Sequence, residues 1–294
     1  MNEKINFLIA GGDLRQVYTA KALSQEYNVY ALGLSKNHIN TDKINLIENI
    51  DDVPYEVDHI ILPLPVSQDG EYINAPFSSR KIAASELIPH IKNGGIVFGG
   101  KFDDISQKIF INSGIETIDY FDREELNVLN AVPTAEGAVQ IAMEETASTI
   151  YGQNILITGF GRISKVLIKI LNGMGANVTV TARKYSDLAW AEIYGCKSVH
   201  TSSLHECIDK FDIIFNTVPA VLFDEYMLNK LRKDTLMIDL ASKPGGVDFD
   251  IAGKLGLKVI WALSLPGKVA PVSSGEIIAG TVLNILKERG KSDD

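Results

Sequence analysis

The chain has 294 residues, 46% of them hydrophobic and 22% charged, with 37 acidic against 28 basic residues and a net charge of −9. This is the composition of a globular protein long enough for two domains, each with its own core, and the acidic excess leaves no basic stripe for nucleic-acid phosphates. No run reaches the ~18 apolar residues of a membrane span. The short apolar stretch Ile5 to Ala10 is not a signal peptide, and Cys196 and Cys207 lack zinc-ligand or Cys-x-x-Cys spacing, so a cytoplasmic protein without a metal is expected.

In chain order, Ile5 to Ala10 reads as a strand, followed by Gly11-Gly12-Asp13-Leu14-Arg15-Gln16 and a helix to about Gln25. Val29 to Leu34 and His59 to Pro65 are further strands, the second ended by its prolines. Gly94 to Gly100 is another, bracketed by glycines. Alternating strands and helices indicate a parallel sheet with helices on both faces. At Asn130-Ala131-Val132-Pro133-Thr134-Ala135-Glu136-Gly137 the chain changes character: Thr134 can cap a helix with Gly137 to Thr149 as its body. That helix, within residues 131–150, is expected to cross from a first domain, 1–130, to a second, 151–273. The terminal helix, 274–290, is a candidate to return to the first domain, and the tail from Lys287 to Asp294 reads as frayed.

The second half carries the sharpest signal. Ile155-Leu156-Ile157-Thr158 is a buried strand running into Gly159-Phe160-Gly161 and a helix from Arg162 to Met174, with Ile163, Val166, Leu167, Ile170 and Leu171 at helical spacing. Gly159 permits the tight turn, and Gly161 lets backbone approach a pyrophosphate favoured by the positive helix end. Ser164 stands where a third glycine is usual and is small enough for close helix–strand packing. Asn177 to Lys184 is the next strand, and it ends in Arg183 and Lys184, with Ser186 beyond. An acid there would read a ribose 2′-hydroxyl, whereas Arg suits a 2′-phosphate, so NADP is expected in preference to NAD. Three more strands follow, at Asp212 to Pro219, Leu236 to Gly246 and Lys258 to Ala262. Ligands sit at carboxyl strand ends in such sheets, which places Asn216, Thr217, Ser242, Lys243 and Ser264 around one crevice. The expected fold class is α/β, with two Rossmann-like doubly wound parallel-sheet domains.

Taken together, Gly11-Gly12-Asp13-x-Arg15-Gln16, Asn130-x-x-Pro133-Thr134-x-Glu136-Gly137, Gly159-x-Gly161-Arg162, Asp239-Leu240-Ala241-Ser242-x-Pro244-Gly245-Gly246 and Leu265-Pro266-Gly267-x-Val269-Ala270-Pro271 resemble the family of dipicolinate synthase A chains over nearly the full length. The resemblance implies NADP-linked oxidation of dihydrodipicolinate to dipicolinate in the mother cell of a sporulating bacterium, beside the flavoprotein-like B subunit of dipicolinate synthase. A ring dicarboxylate needs fixed cations and hydroxyls. Arg15, with Asp13 beside it, Lys243 and Lys268 are the cations within the motifs, and Thr134, Ser67, Ser242 and Ser264 the hydroxyls. Glu136 and Lys243 are candidate bases for the ring proton. His38, His59, His90, His200 and His205 lie outside the motifs. For the cofactor, Gly159, Gly161, Arg162, Ile163 and Ser164 are expected around the pyrophosphate, and Arg183, Lys184 and Ser186 at the 2′-phosphate. Asn216-Thr217-Val218-Pro219 and Asp239-Leu240-Ala241-Ser242 are expected along the nicotinamide ribose. The alternatives are a dehydrogenase of another small carboxylate, or a nucleotide-binding scaffold without turnover. A homo-oligomer is the default for a soluble enzyme.

Overall fold

A computed structural model describes residues 4–54 and 56–290. It divides into two compact units, one of residues 1–130 and 270–294, the other of residues 131–269. The first unit holds strands β1 (Asn6–Ala10), β2 (Asn28–Leu32), β3 (Ile44–Ile47), β4 (Val57–Ile61), β5 (Ile91–Gly99) and β6 (Glu116–Asp119), in sheet order β3-β2-β1-β4-β5-β6. Every pairing is parallel. Two of its helices are α1 (Leu14–Leu23) and α2 (Asp104–Ile111). The 22-residue α3 (Glu124–Glu145) begins in this unit and continues into the second.

The second unit repeats the pattern with β7 (Asn154–Thr158), β8 (Asn177–Ala182), β9 (Lys197–His200), β10 (Ile213–Asn216), β11 (Leu236–Asp239) and β12 (Lys258–Trp261), ordered β12-β11-β10-β7-β8-β9 and all parallel. Its helices are α4 (Arg162–Gly173), α5 (Tyr185–Ile193), α6 (Glu225–Leu228), α7 (Phe249–Lys254) and α8 (Leu265–Val269), and α9 (Pro271–Arg289) belongs to the first unit. Counted from its own first strand, each sheet has the doubly wound order 3-2-1-4-5-6.

Both sheets are covered on both faces, which is why their strands read as continuous apolar runs. Phe7 and Ile9 join one core with Val17 and Ala20 of α1 and Ile278 and Val282 of α9, while Leu8 and Ala10 join the opposite core with Phe110 of α2. Likewise Ile155 and Ile157 pack with Leu167 and Leu171 of α4, and Leu156 faces Met227 of α6 and Ala252 of α7. Helix α9 lies close against α1: a Cβ on Gly275 would fall 2.5 Å from the Arg15 carbonyl oxygen, and Thr19 Oγ1 donates to the Gly275 carbonyl at 3.0 Å.

Several expected boundaries are corrected. Helix α3 starts at Glu124, so Thr134 is no cap and Glu136 sits mid-helix rather than in a first turn. The helix runs through Pro133, which only removes the donor to the Leu129 carbonyl. It ends at Glu145, short of Thr149, and the division between units falls inside it, after Asn130. Helix α9 begins at Pro271 and stays helical to Arg289, past the expected frayed point at Lys287. Bidentate pairs of Arg123 with Glu288 and Arg289 with Glu116 hold that end, and residues 291–294 lie outside those described.

The two units share a contact pattern as well as a topology. Asn6 and Asn154 open the first strand of each sheet, and their backbone N–H groups donate to Asp58 and Asp212, each just before or at the start of the local fourth strand, at 2.8 and 2.9 Å. Each of these aspartates then pairs with a cation, Lys92 or Arg232. At the other end of the first strand, the Gly11 and Gly159 N–H groups donate to the Leu32 and Thr181 carbonyls, both at 2.8 Å. The chain therefore carries one supersecondary pattern twice.

Candidate functional site

At the carboxyl end of β7 the chain turns through Gly159 with φ +86°, and a Cβ there would lie 2.7 Å from Thr217 Oγ1, so only glycine fits. Gly161 is the N-cap of the 12-residue α4 and supplies no side-chain hydrogen bond to its first turn. A Cβ on Gly161 would meet nothing within 4 Å. The helix thus begins in open space without a side-chain cap on its first backbone N–H groups, an arrangement that suits an anion. Ser164, in place of the usual third glycine, is buried, and its hydroxyl lies 3.0 Å from Thr217 Oγ1. Thr217 in turn donates to the Thr158 carbonyl at 2.6 Å. Serine therefore ties α4 to the ends of β7 and β10 while keeping the close packing. Arg162 is exposed and Ile163 half-buried in the first turn of α4.

Beneath this turn runs a buried polar ladder across three strands. Register sets Thr158, Asn216 and Asp239 side by side at the ends of β7, β10 and β11. Thr158 Oγ1 donates to Asn216 Oδ1, and Asn216 Nδ2 donates to Asp239 Oδ1 at 2.8 Å and to the Val218 carbonyl at 3.1 Å. Asp239 also accepts from Ala241 N at 3.0 Å and Gly246 N at 2.8 Å. Asn216 and Asp239 are thereby satisfied inside the protein and shape the crevice from below, and Thr217, Val218, Pro219 and Ser242 form the more exposed layer. Leu240 and Ala241 are buried, and the Ala241 carbonyl accepts from Trp261 Nε1 at 2.9 Å, fixing the turn that presents the exposed Ser242 and Lys243.

A cavity of about 360 Å³ opens beside the glycine turn, lined by residues that include Gly159, Phe160, Arg183, Lys184, Asp187 and Val218. Arg183 and Lys184 are exposed at the end of β8, and Ser186 lies just beyond, in α5. His200, which lies outside every sequence motif, holds this corner: its Nε2 lies 3.0 Å from the Arg183 carbonyl, and its ring stacks on Tyr185 at 5.2 Å. Only its position at the end of β9, the neighbour of β8, could have signalled this, and β9 itself has no clear sequence signature. Among the described residues no group of three or more His, Cys, Asp or Glu is placed to hold a metal, and no helix is long and apolar enough to cross a membrane.

The remaining candidates fall in two groups. In the first unit, Asp13 is the N-cap of α1, accepting from Arg15 N at 2.9 Å. Its carboxylate also takes the Arg15 guanidinium side-on, at 2.9 Å from Nε and 2.8 Å from Nη2, and Nη2 donates to the Leu64 carbonyl at 2.6 Å. Ser67 spends its hydroxyl on its own turn, donating to Asp69 and accepting from Gly70 N at 2.8 Å. In the second unit, Thr134 and Glu136 lie within α3, the latter exposed. Ser264 is exposed in the left-handed region with φ 59°, and Lys268 is exposed on α8. Gly137 is where α8 presses on α3: a Cβ would meet both Val269 methyls at 3.1 Å. The Glu136-Gly137 and Leu265 to Val269 motifs therefore have a packing reason.

Residues 131–243 match the family model described as D-isomer specific 2-hydroxyacid dehydrogenase, NAD binding domain. With the glycine turn and the uncapped helix, this defines an oxidoreductase with a dehydrogenase-type, nicotinamide-cofactor domain. Residues 6–121 match the model for the N-terminal domain of the dipicolinate synthase A chain. The dipicolinate synthase A chain of Bacillus subtilis (strain 168) is 30% identical over 97% of this chain and 96% of its own. The crystal structure of the corresponding protein from Bacillus halodurans superposes with a TM-score of 0.88 at 29% identity, over 97% of this chain and 99% of its own. The A chain structure from Bacillus subtilis gives 0.87 at 29% identity, over 99% of both. The chain belongs to the family of dipicolinate synthase A chains.

Proposed function

We propose that this chain oxidises dihydrodipicolinate to dipicolinate with NADP, as the A chain of a dipicolinate synthase that works with a flavoprotein-like B subunit in the mother-cell cytoplasm during sporulation. The observation that carries the reading is full-length likeness to dipicolinate synthase A chains joined to a unit with an open dinucleotide turn. Gly159, Gly161, Arg162, Ile163 and Ser164 take the pyrophosphate. Arg183, with Lys184 and Ser186, takes the 2′-phosphate, since two cations and no acid end β8. Thr217 to Pro219 and Leu240 to Ser242 border the nicotinamide ribose, with Asn216 and Asp239 holding those turns in shape.

When bound, the nicotinamide supplies a hydride acceptor. The rest falls to the chain. In the first unit Arg15, positioned by Asp13, is the cation offered to a ring carboxylate. In the second unit Lys268, Thr134 and Ser264 are the polar groups offered to substrate, and Glu136 or Lys243 is the acceptor for the ring proton. Loss of one hydride and one proton leaves an aromatic ring, so aromatisation supplies much of the driving force and the protein's task is chiefly orientation. The test is NADPH formation, followed by absorbance, when the full chain with and without its flavoprotein-like partner meets freshly generated dihydrodipicolinate. Turnover that collapses in Arg183→Ala with NADP, and much less with NAD, is the expected result. NADP binding by calorimetry without turnover under either condition would point instead to a nucleotide-binding scaffold.

A further inference from the structure

The carboxyl end of β5 carries a cation that no motif singled out. Lys101 follows Gly99 and Gly100, is exposed, and holds φ 55°, in the left-handed region that an ordinary side chain rarely enters. The conformation is imposed by its surroundings. Asp119 accepts Lys101 N and Phe102 N, both at 2.9 Å. Gly100 N donates to the Pro63 carbonyl at 3.1 Å, and the Gly100 carbonyl accepts from Val66 N at 3.0 Å. A Cβ on Gly100 would lie 2.8 Å from Leu64 Cβ, so the turn is pressed onto Leu64.

Leu64 is also where Arg15 docks, through Nη2 on its carbonyl. Arg15 and the turn that carries Lys101 thus meet the same residue of the first unit, Leu64, one at its carbonyl and the other through Gly100 at its side chain, near the switch point between β1 and β4 where doubly wound sheets bind ligands. The nearby acids are committed elsewhere: Asp119 to the backbone of this turn, Asp103 to the N-cap of α2, and Asp13 to Arg15. Lys101 has no carboxylate partner among the described residues. Glu56 has a positive φ too, but at the amino edge of β4 and without a cation.

We propose that Lys101 is the second carboxylate-binding cation of the substrate site, pairing with Arg15 so that one ring carboxylate is held by each. This rests on the dicarboxylate reading above. Arg15, held planar and fixed by Asp13 and the Leu64 carbonyl through Nε and Nη2, offers Nη1 to one carboxylate, and Lys101 gives a point charge on a flexible four-carbon stem for the other.

The experiment is calorimetric binding of pyridine-2,6-dicarboxylate and pyridine-2-carboxylate to the full chain saturated with NADPH, in wild type, Lys101→Met and Lys101→Arg. Methionine keeps the stem and the φ demand, so an unchanged melting temperature isolates the charge. Lys101→Met should weaken the dicarboxylate by about tenfold or more and the monocarboxylate by less than about twofold, with arginine restoring most of the difference. Equal dicarboxylate binding in wild type and Lys101→Met overturns the assignment while leaving the functional reading intact. A wild-type chain that binds NADPH but neither ring compound overturns the functional reading, and the Lys101 assignment with it.

Discussion

The two units begin alike and end differently. At the amino edge of each sheet an asparagine N–H is held by an aspartate that is paired in turn with a cation, Asp58 with Lys92 and Asp212 with Arg232. At the carboxyl edge the same positive-φ glycine follows the first strand, Gly11 or Gly159. Two residues later one unit has Asp13 and the other Gly161, in almost the same backbone conformation, φ −87° and ψ −163° against φ −88° and ψ −167°. Asp13 fills the start of its helix with its own carboxylate, and Gly161 leaves the helix start without a side-chain cap. On the proposed reading, that one side chain at the N-cap separates a unit with a phosphate site from one without. Charge divides along the same line: the whole net charge of −9 falls in residues 1–130 and 270–294, and residues 131–269 carry as many basic as acidic side chains.

This contrast can be broken in several places. The largest effect is expected at Asp239, whose carboxylate is fully buried and receives Asn216 Nδ2, Ala241 N and Gly246 N. Asp239→Ala strands three donors and should cost about 3 kcal/mol or more of stability, read by denaturant unfolding. Next comes the acid sensitivity of the first unit. His59 on β4 packs between Phe7 and Phe98, its Nδ1 is buried without a partner, and burial lowers its pKa to about 4. The unfolded chain titrates near its ordinary value of 6.5 and so binds the proton first. The neutral-histidine contribution is therefore complete above pH 6.5 and lost as pH falls towards 4, by about 3 kcal/mol at most. His59→Phe should flatten that decline in melting temperature. The corresponding β10 position, Ile213, has nothing to titrate. The smallest effect is Asp13→Asn, which keeps a capping oxygen for Arg15 N and loses only the charge of the pair with Arg15; at about 1 kcal/mol it should lower the melting temperature by a few degrees and leave NADP affinity within about twofold.

Much of this was legible because parallel strands buried on both faces write themselves as apolar runs. The strands beginning near Ile5, Val29, His59, Gly94, Ile155, Asn177, Asp212, Leu236 and Lys258 all formed, their starts moved by a few residues at most. β3, β6 and β9 are four-residue edge strands with half-exposed positions and no such signature. Thr134 suggested a helix start because its hydroxyl can cap a first turn, yet α3 had already begun ten residues earlier, at Glu124. The glycine turn at Gly159 and the cations at Arg183 and Lys184 could be found from local spacing. The ladder of Thr158, Asn216 and Asp239 could not, since it depends on the register of three strands far apart in sequence. The internal repeat was in plain view as Asn6-Phe-Leu-Ile and Asn154-Ile-Leu-Ile, but its meaning lies in the aspartates that meet those asparagines from distant strands.

The most direct test of the claim that the N-cap residue separates the two units is Gly161→Asp. The backbone there already has the conformation of Asp13, and the side chain would enter open space, so the variant should fold, with a melting temperature equal to or slightly above wild type. Calorimetry should show NADP affinity falling by about 100-fold or more, because a fixed carboxylate then competes for the same N–H groups. A folded Gly161→Asp chain that binds NADP as wild type does would contradict the account.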